Sequence, residues 1–223
     1  MSATSAHEDW ARSDAYHNSF LLAPDDALTF AKANSDKHGL RDIAVSAAQG
    51  KYLSLLVRSI GAKRVLEVGT LGGYSTIWMG RALPEDGELI TLELNEKHVQ
   101  VARENIAHAG LADKVKVVQG VAAESLAKMA ADKPFDFVFI DADKPNNLTY
   151  LLEAKRLTRK GAVIIIDNVV RRGKVADLAY TDANCEGIRR LLTHLKTDRE
   201  VEATTISTVG EKGWDGFMYV LKP

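Results

Sequence analysis

The sequence lacks most of the features that mark specialised protein classes. It has a single cysteine, Cys185, so no internal disulfide can form. That excludes a disulfide-stapled scaffold and fits a reducing, cytoplasmic setting. No apolar run approaches the ~20 residues of a membrane span. The longest, at 162–166, is the length of a strand. Residues 1–10 are polar and carry no hydrophobic core of a secretion signal. Neither sign of charge is in excess: 29 Lys and Arg face 30 Asp and Glu. This speaks against a protein held to nucleic acid mainly through phosphates. The six histidines show no paired metal-ligand spacing, and there is no internal repeat or low-complexity tract.

What is present is ordinary globular material. The chain has 223 residues, long enough for one large domain with a sizeable core. Residues 1–40 are weakly patterned and are expected to form a helical segment or lid, with a helix start at 23–26. From residue 41 onward a single domain is expected. Leu53, Leu56, Val57 and Ile60 fall on one helical face, closed by Gly61. Apolar runs at 65–68, 89–92, 115–118, 135–140 and 163–166 then read as buried strands. Between them, Val99, Ala102, Ile106 and Ala109 make a helical stripe, as do Leu148, Leu151 and Leu152. Ile188, Leu191, Leu192 and Leu195 repeat the spacing further on.

Continuous rather than alternating apolar strands imply a sheet covered on both faces. Strand–helix alternation of this kind predicts a doubly wound α/β domain. Residues 201–209 and 216–222 are strand-like around a glycine-containing loop, and predict an antiparallel hairpin at one sheet edge.

In such a sheet, ligands bind beyond the carboxyl ends of the strands. The first strand runs into Gly69-Thr70-Leu71-Gly72-Gly73-Tyr74-Ser75, and its last turn carries Glu67. Glycines there let a ligand approach the backbone. Glu93 lies 20 residues beyond Gly73, where an acid grips ribose hydroxyls. The glycine spacing is not the dinucleotide G-x-G-x-x-G, and Glu67 is a poor neighbour for pyrophosphate. It suits a cationic ligand such as S-adenosylmethionine. A second group is Asp141, Asp167 and Asn168, at the ends of the fourth and fifth strands. Three oxygen donors suit Mg²⁺ better than zinc; capping of helix starts is the plainer reading. Lys144, three residues beyond Asp141, is a candidate general base. Arg171, Arg172 and Lys174 are either a solvated loop or a contact for an anionic substrate.

Residues 67–75, Asp141-Ala142-Asp143-Lys144 and Asp167-Asn168-Val169, in that order, resemble the cation-dependent O-methyltransferases. That group includes the catechol and caffeoyl-CoA enzymes. The resemblance spans roughly residue 40 to the end. It implies the class I methyltransferase fold, a Rossmann-like seven-stranded sheet. It also implies S-adenosylmethionine and a divalent cation as cofactors, a small phenolic substrate with vicinal hydroxyls, and a homodimer. Glu67, Gly69 and Ser75 would take the methionine end of the cofactor and Glu93 its ribose, with Thr70 a further cofactor contact. Ala122 would contact adenine, and Val45, Asp141 and Asp143 match further cofactor positions. Asp141, Asp167 and Asn168 match the metal ligands, Lys144 matches the catalytic lysine, and Asp141 is expected to be catalytic with it. Where the plant caffeoyl-CoA enzymes have Trp-Asn-Gly, this chain has Arg171-Arg172-Gly173, which argues against a coenzyme A ester. Two alternatives stand beside this reading: a tRNA hydroxyl methyltransferase of the same fold, and a nicotinamide-dependent dehydrogenase.

Overall fold

The computed structural model describes residues 5–223; residues 1–4 of the expected N-terminal segment lie outside the described residues. Three helices precede the sheet: α1 (Ala6–Leu21), α2 (Asp26–Lys37) and α3 (Ala47–Ser59). Each begins on a side chain that accepts a free backbone N–H, from Ser5, Asp25 and Ser46 respectively. The start expected at 23–26 is the Asp25 cap.

Strands and helices then alternate. β1 (Arg64–Val68), α4 (Tyr74–Gly80), β2 (Glu88–Glu93), α5 (Glu96–His108) and β3 (Val115–Gln119) form the first half. α6 (Ala122–Lys128), β4 (Phe135–Ile140), α7 (Asn147–Leu157) and β5 (Thr158–Ile166) form the second. α8 (Ala183–Leu195) and the hairpin β6 (Glu202–Gly210) and β7 (Gly213–Lys222) complete the chain. The seven strands lie in the order β3-β2-β1-β4-β5-β7-β6. The first five are parallel, while β7 pairs antiparallel with both β5 and β6. This is the Rossmann-like methyltransferase architecture, with the expected hairpin closing one edge.

The sheet has a core on each face. Val65, Leu89, Phe137, Phe139, Val163 and Ile165 pack on one side, with residues of α3, α4 and α5. Leu66, Val68, Val138, Ile140, Ile164 and Ile166 pack on the other, with α7 and α8. Successive residues of one strand therefore enter opposite cores, which explains the unbroken apolar runs. At the edge the pattern changes: Val115 and Val117 are buried while Lys116 is exposed. Two residues of the expected helical stripes, Leu152 and Leu192, are exposed, because α7 and α8 bury narrower faces.

The N-terminal helices differ from one another. Leu28 and Ala31 of α2 belong to the first core, so residues 26–37 are part of the main body. Asn34 donates to Asn105 Oδ1 (2.9 Å), and Asn105 donates to the Gly72 carbonyl (2.8 Å). α2 is thereby tied to the loop after β1. α1 buries none of its residues and lies along the hairpin edge.

Candidate active site

β1 and β4 are neighbours in the sheet but not in sequence, so the crevice at their carboxyl ends is the switch point of the fold. The strands end in register: Val68 lies beside Ile140, and Ile140 beside Ile166. The next residues are Gly69, Asp141 and Asp167, side by side. Gly69 has φ +101°, and a Cβ there would meet the Asp141 carbonyl at 2.6 Å. Only glycine lets the two chains pass so closely. The loop then turns at Gly73 (φ +79°) into α4. Above these strand ends lies a cavity of about 770 Å³.

One wall of the cavity is heavily hydrogen-bonded. The Glu93 carboxylate accepts the N–H groups of Leu71 (2.9 Å), Thr70 (3.2 Å) and Asn95 (2.9 Å), and His98 lies 3.4 Å away. Asp143 is fixed through both oxygens, by the Tyr150 hydroxyl (2.5 Å) and the Asn146 amide (2.7 Å). Burial, then the Asp143 carboxylate, push the Tyr150 phenol upward, so it stays protonated and donates. Glu67 lies behind this wall. It is fully buried and accepts from Ser75 Oγ (2.5 Å), Thr91 Oγ1 (2.7 Å) and Thr76. Burial raises its carboxyl to about 7 against the lowering effect of those hydroxyls.

The other wall carries the second group. Lys144, only 5% exposed, places Nζ 2.9 Å from Asp141 Oδ1. Asp167 is buried and accepts the Asn168 N–H (2.9 Å). Burial first, and the Asp141 charge second, push its carboxyl upward. Asn168 sits in the left-handed region (φ +56°), and its side-chain amide has no partner among the described residues. Among the described residues no three His, Cys, Asp or Glu side chains converge. The group is two carboxylates and an amide, all hard oxygen donors. Two close carboxylates, one buried, fit a divalent cation, whose charge relieves both the burial and the repulsion.

The family model for O-methyltransferases matches residues 24–222. The chain belongs to the O-methyltransferase family. The catechol O-methyltransferase of Mycobacterium tuberculosis is 51% identical over 209 residues, covering 93% of this chain and 94% of that protein. The catechol O-methyltransferase of Niastella koreensis is 45% identical, covering 91% and 93%. The O-methyltransferase of Bacillus cereus, solved in complex with SAH, is 44% identical and superposes with a TM-score of 0.94 over 97% of this chain and 99% of that one. Membership of this family sets aside the dehydrogenase alternative.

In this O-methyltransferase, Val45, Gly69, Thr70, Ser75, Glu93, Ala122, Asp141, Asp143, Lys144 and Asn168 all line this cavity. Glu67 and Asp167 do not; both lie behind it. Glu67, expected to take the methionine end of the cofactor, reaches the cavity wall through Ser75, whose hydroxyl it holds. Sequence reading missed the lining residues Arg41, His98, Tyr150 and Asn184. None sits in a motif. Only the position of Tyr150, one face of α7 above Asp143, offered a signal.

Proposed function

We propose that this O-methyltransferase moves a methyl group from S-adenosylmethionine to one hydroxyl of a vicinal dihydroxy aromatic, with Mg²⁺ or another divalent cation. The single observation carrying the reading is the register of β1, β4 and β5. It sets Lys144 and the donors Asp141 and Asn168 around the same cavity as the glycine loop, with Asp167 directly behind.

The polar wall suits the donor. Glu93 presents a carboxylate already oriented by backbone N–H groups, at the position expected to meet ribose hydroxyls. Ser75 and Gly69 face the cavity near the strand ends, where the methionine portion belongs. Asp143 is held by Tyr150 and Asn146 as a fixed acceptor. SAH, named with the Bacillus cereus relative, is the demethylated form of this donor.

Asp141, Asp167 and Asn168 would hold the cation. When bound, it supplies positive charge that eases deprotonation of a neighbouring hydroxyl. Lys144 is the group placed to take that proton, and Asp141 fixes its Nζ at 2.9 Å. Burial of Lys144 keeps bulk water from the proton's path. Holding donor and acceptor in one cavity converts a bimolecular reaction into a local one. The names of the two catechol O-methyltransferases support the acceptor class. A reducing, cytoplasmic location is supported by the lone buried Cys185. A homodimer is supported by the exposed Tyr16, Phe20 and Leu21 of α1.

The test is turnover of a simple catechol with S-adenosylmethionine before and after chelation. We expect activity to vanish on metal stripping and to return with Mg²⁺. Chelator-resistant turnover overturns the metal role. Failure to methylate any vicinal diol with Mg²⁺ present overturns the acceptor class.

A further inference from the structure

Four arginines are half-buried among the described residues: Arg64, Arg159, Arg171 and Arg189. Three of them are matched with carboxylates, Arg64 with Glu88, Arg159 with Asp136 and Arg189 with Glu186. Arg171 is the exception. Its guanidinium makes no ion pair and no hydrogen bond, and its Nε is shut off from solvent without an acceptor. It lines the cavity that holds Asp141, Lys144 and Asn168. Arg41 lines the cavity too, but it is exposed. A half-buried guanidinium with neither an ion pair nor a hydrogen bond is costly to leave unmatched.

The neighbouring acids make their hydrogen bonds elsewhere, and the Arg171 charge reaches Asp182 only at longer range, where it helps lower that carboxyl. Asp215 Oδ1 accepts the backbone N–H groups of Arg171 (2.8 Å), Gly216 (2.9 Å) and Val170 (3.1 Å). Asp182 caps α8 through the Cys185 N–H (2.7 Å) and accepts from the Tyr180 hydroxyl (3.1 Å). The Asp215 bonds also hold Arg171 in the left-handed region (φ +53°), a conformation L-residues adopt only when their surroundings impose it. The loop is thus built to keep this side chain where it is. Asn184, in the first turn of α8, lines the same cavity and its side chain is also unpartnered.

We infer that Arg171, assisted by Asn184, is a specificity residue that receives a carboxylate on the acceptor. The preferred substrates are then dihydroxy aromatics bearing an acid group, rather than neutral catechols or catechol amines. A guanidinium matches a carboxylate with two parallel hydrogen bonds, and an amide adds a third donor. The inference rests on the acceptor class proposed above. The carboxylate of S-adenosylmethionine is the other possible source of the same chemistry, and the experiment separates the two.

The experiment compares protocatechuate, its methyl ester and dihydroxybenzylamine as acceptors, with KM for S-adenosylmethionine measured alongside. Calorimetric binding of protocatechuate supplies a readout without turnover. The parent should favour acid over ester by about tenfold or more in kcat/KM, with the amine poorest. Arg171→Asn suits the backbone, since asparagine tolerates left-handed φ. It should raise KM for the acid by about tenfold or more, leave kcat and the ester within about twofold, and weaken calorimetric binding equally. Arg171→Lys should recover part of the preference. Equal losses on all three acceptors reveal a merely structural role and overturn the inference. A rise in KM for S-adenosylmethionine in place of the acid assigns the guanidinium to the donor and also overturns it. If the parent methylates none of the three, the acceptor class itself fails, and the calorimetric comparison still decides whether Arg171 binds the acid.

Discussion

The two walls of the cavity are finished to different degrees. On the wall of the glycine loop, Glu93 and Asp143 have their oxygens engaged, and Asn105 ties α2 to the loop at Gly72. On the opposite wall, the side chains of Asn168, Arg171 and Asn184 make no hydrogen bonds. The backbone there is left-handed at Asn168, Arg171 and Arg172, and Leu178 in the same loop is 84% exposed. A wall whose groups are already oriented loses little freedom when its ligand arrives. A wall with open donors gains its missing bonds from the ligand, so its chemistry selects the ligand. On the reading proposed here, the first wall serves one invariant donor and the second reads the acceptor.

The largest effect that can break this comparison is at Lys144. Lys144→Ala should lower kcat by about 10²–10⁴-fold while leaving calorimetric affinity for S-adenosylmethionine close to the parent. A strong loss of donor affinity would join the two walls into one. Next is Gly69→Ala. Its methyl would meet the Asp141 carbonyl at 2.6 Å in a backbone of φ +101°. The expected cost is on the order of 3 kcal/mol, a fall in Tm of roughly 10 °C. An unchanged Tm means the strand ends are looser than described.

A smaller effect concerns Glu67. Its carboxyl titrates near 7 in the folded chain against an ordinary value of 4.5. The folded state therefore holds this proton more tightly. The stability it contributes is fully present below pH 4.5 and is lost as pH rises through about 7. Glu67→Gln should flatten the decline of Tm across that window by roughly 5 °C. Parallel curves for parent and variant would show that the carboxyl is not strained by burial. Smallest is Arg172→Gly, at an exposed left-handed position (φ +57°). Relief of backbone strain should outweigh the added chain entropy by ~0.5 kcal/mol, raising Tm by about 1–2 °C with kcat unchanged. A drop in kcat would place Arg172 in the acceptor wall beside Arg171.

Much of the donor wall was legible in the residues themselves. Glycine loops, strand-end acids and a fixed spacing to Glu93 are local signals, because each depends on a few neighbouring positions. Lys144 and Asp141 were legible for the same reason, three residues apart in one turn. Glu67 was legible as a strand-end acid, but its hydrogen-bond partners were not. Which way its carboxylate points depends on Ser75 and Thr76 in α4 and on Thr91 in β2. Tyr150 and Asn184 carried no motif, and their place in the cavity arises from the packing of α7 and α8. Leu152 and Leu192 have apolar spacing like their neighbours, yet lie outside the core.

The sequence by itself determined the alternation of elements, the strand count and the chemistry at each strand end, since these follow from side-chain type and short-range periodicity. Tertiary structure alone decided which strand ends became neighbours, which acids faced the cavity and which half-buried guanidinium was left without an ion pair. Those outcomes depend on contacts between residues tens of positions apart, and on register between strands. No local pattern encodes them, because the same side chain is a wall, a support or a solvated surface according to what packs against it.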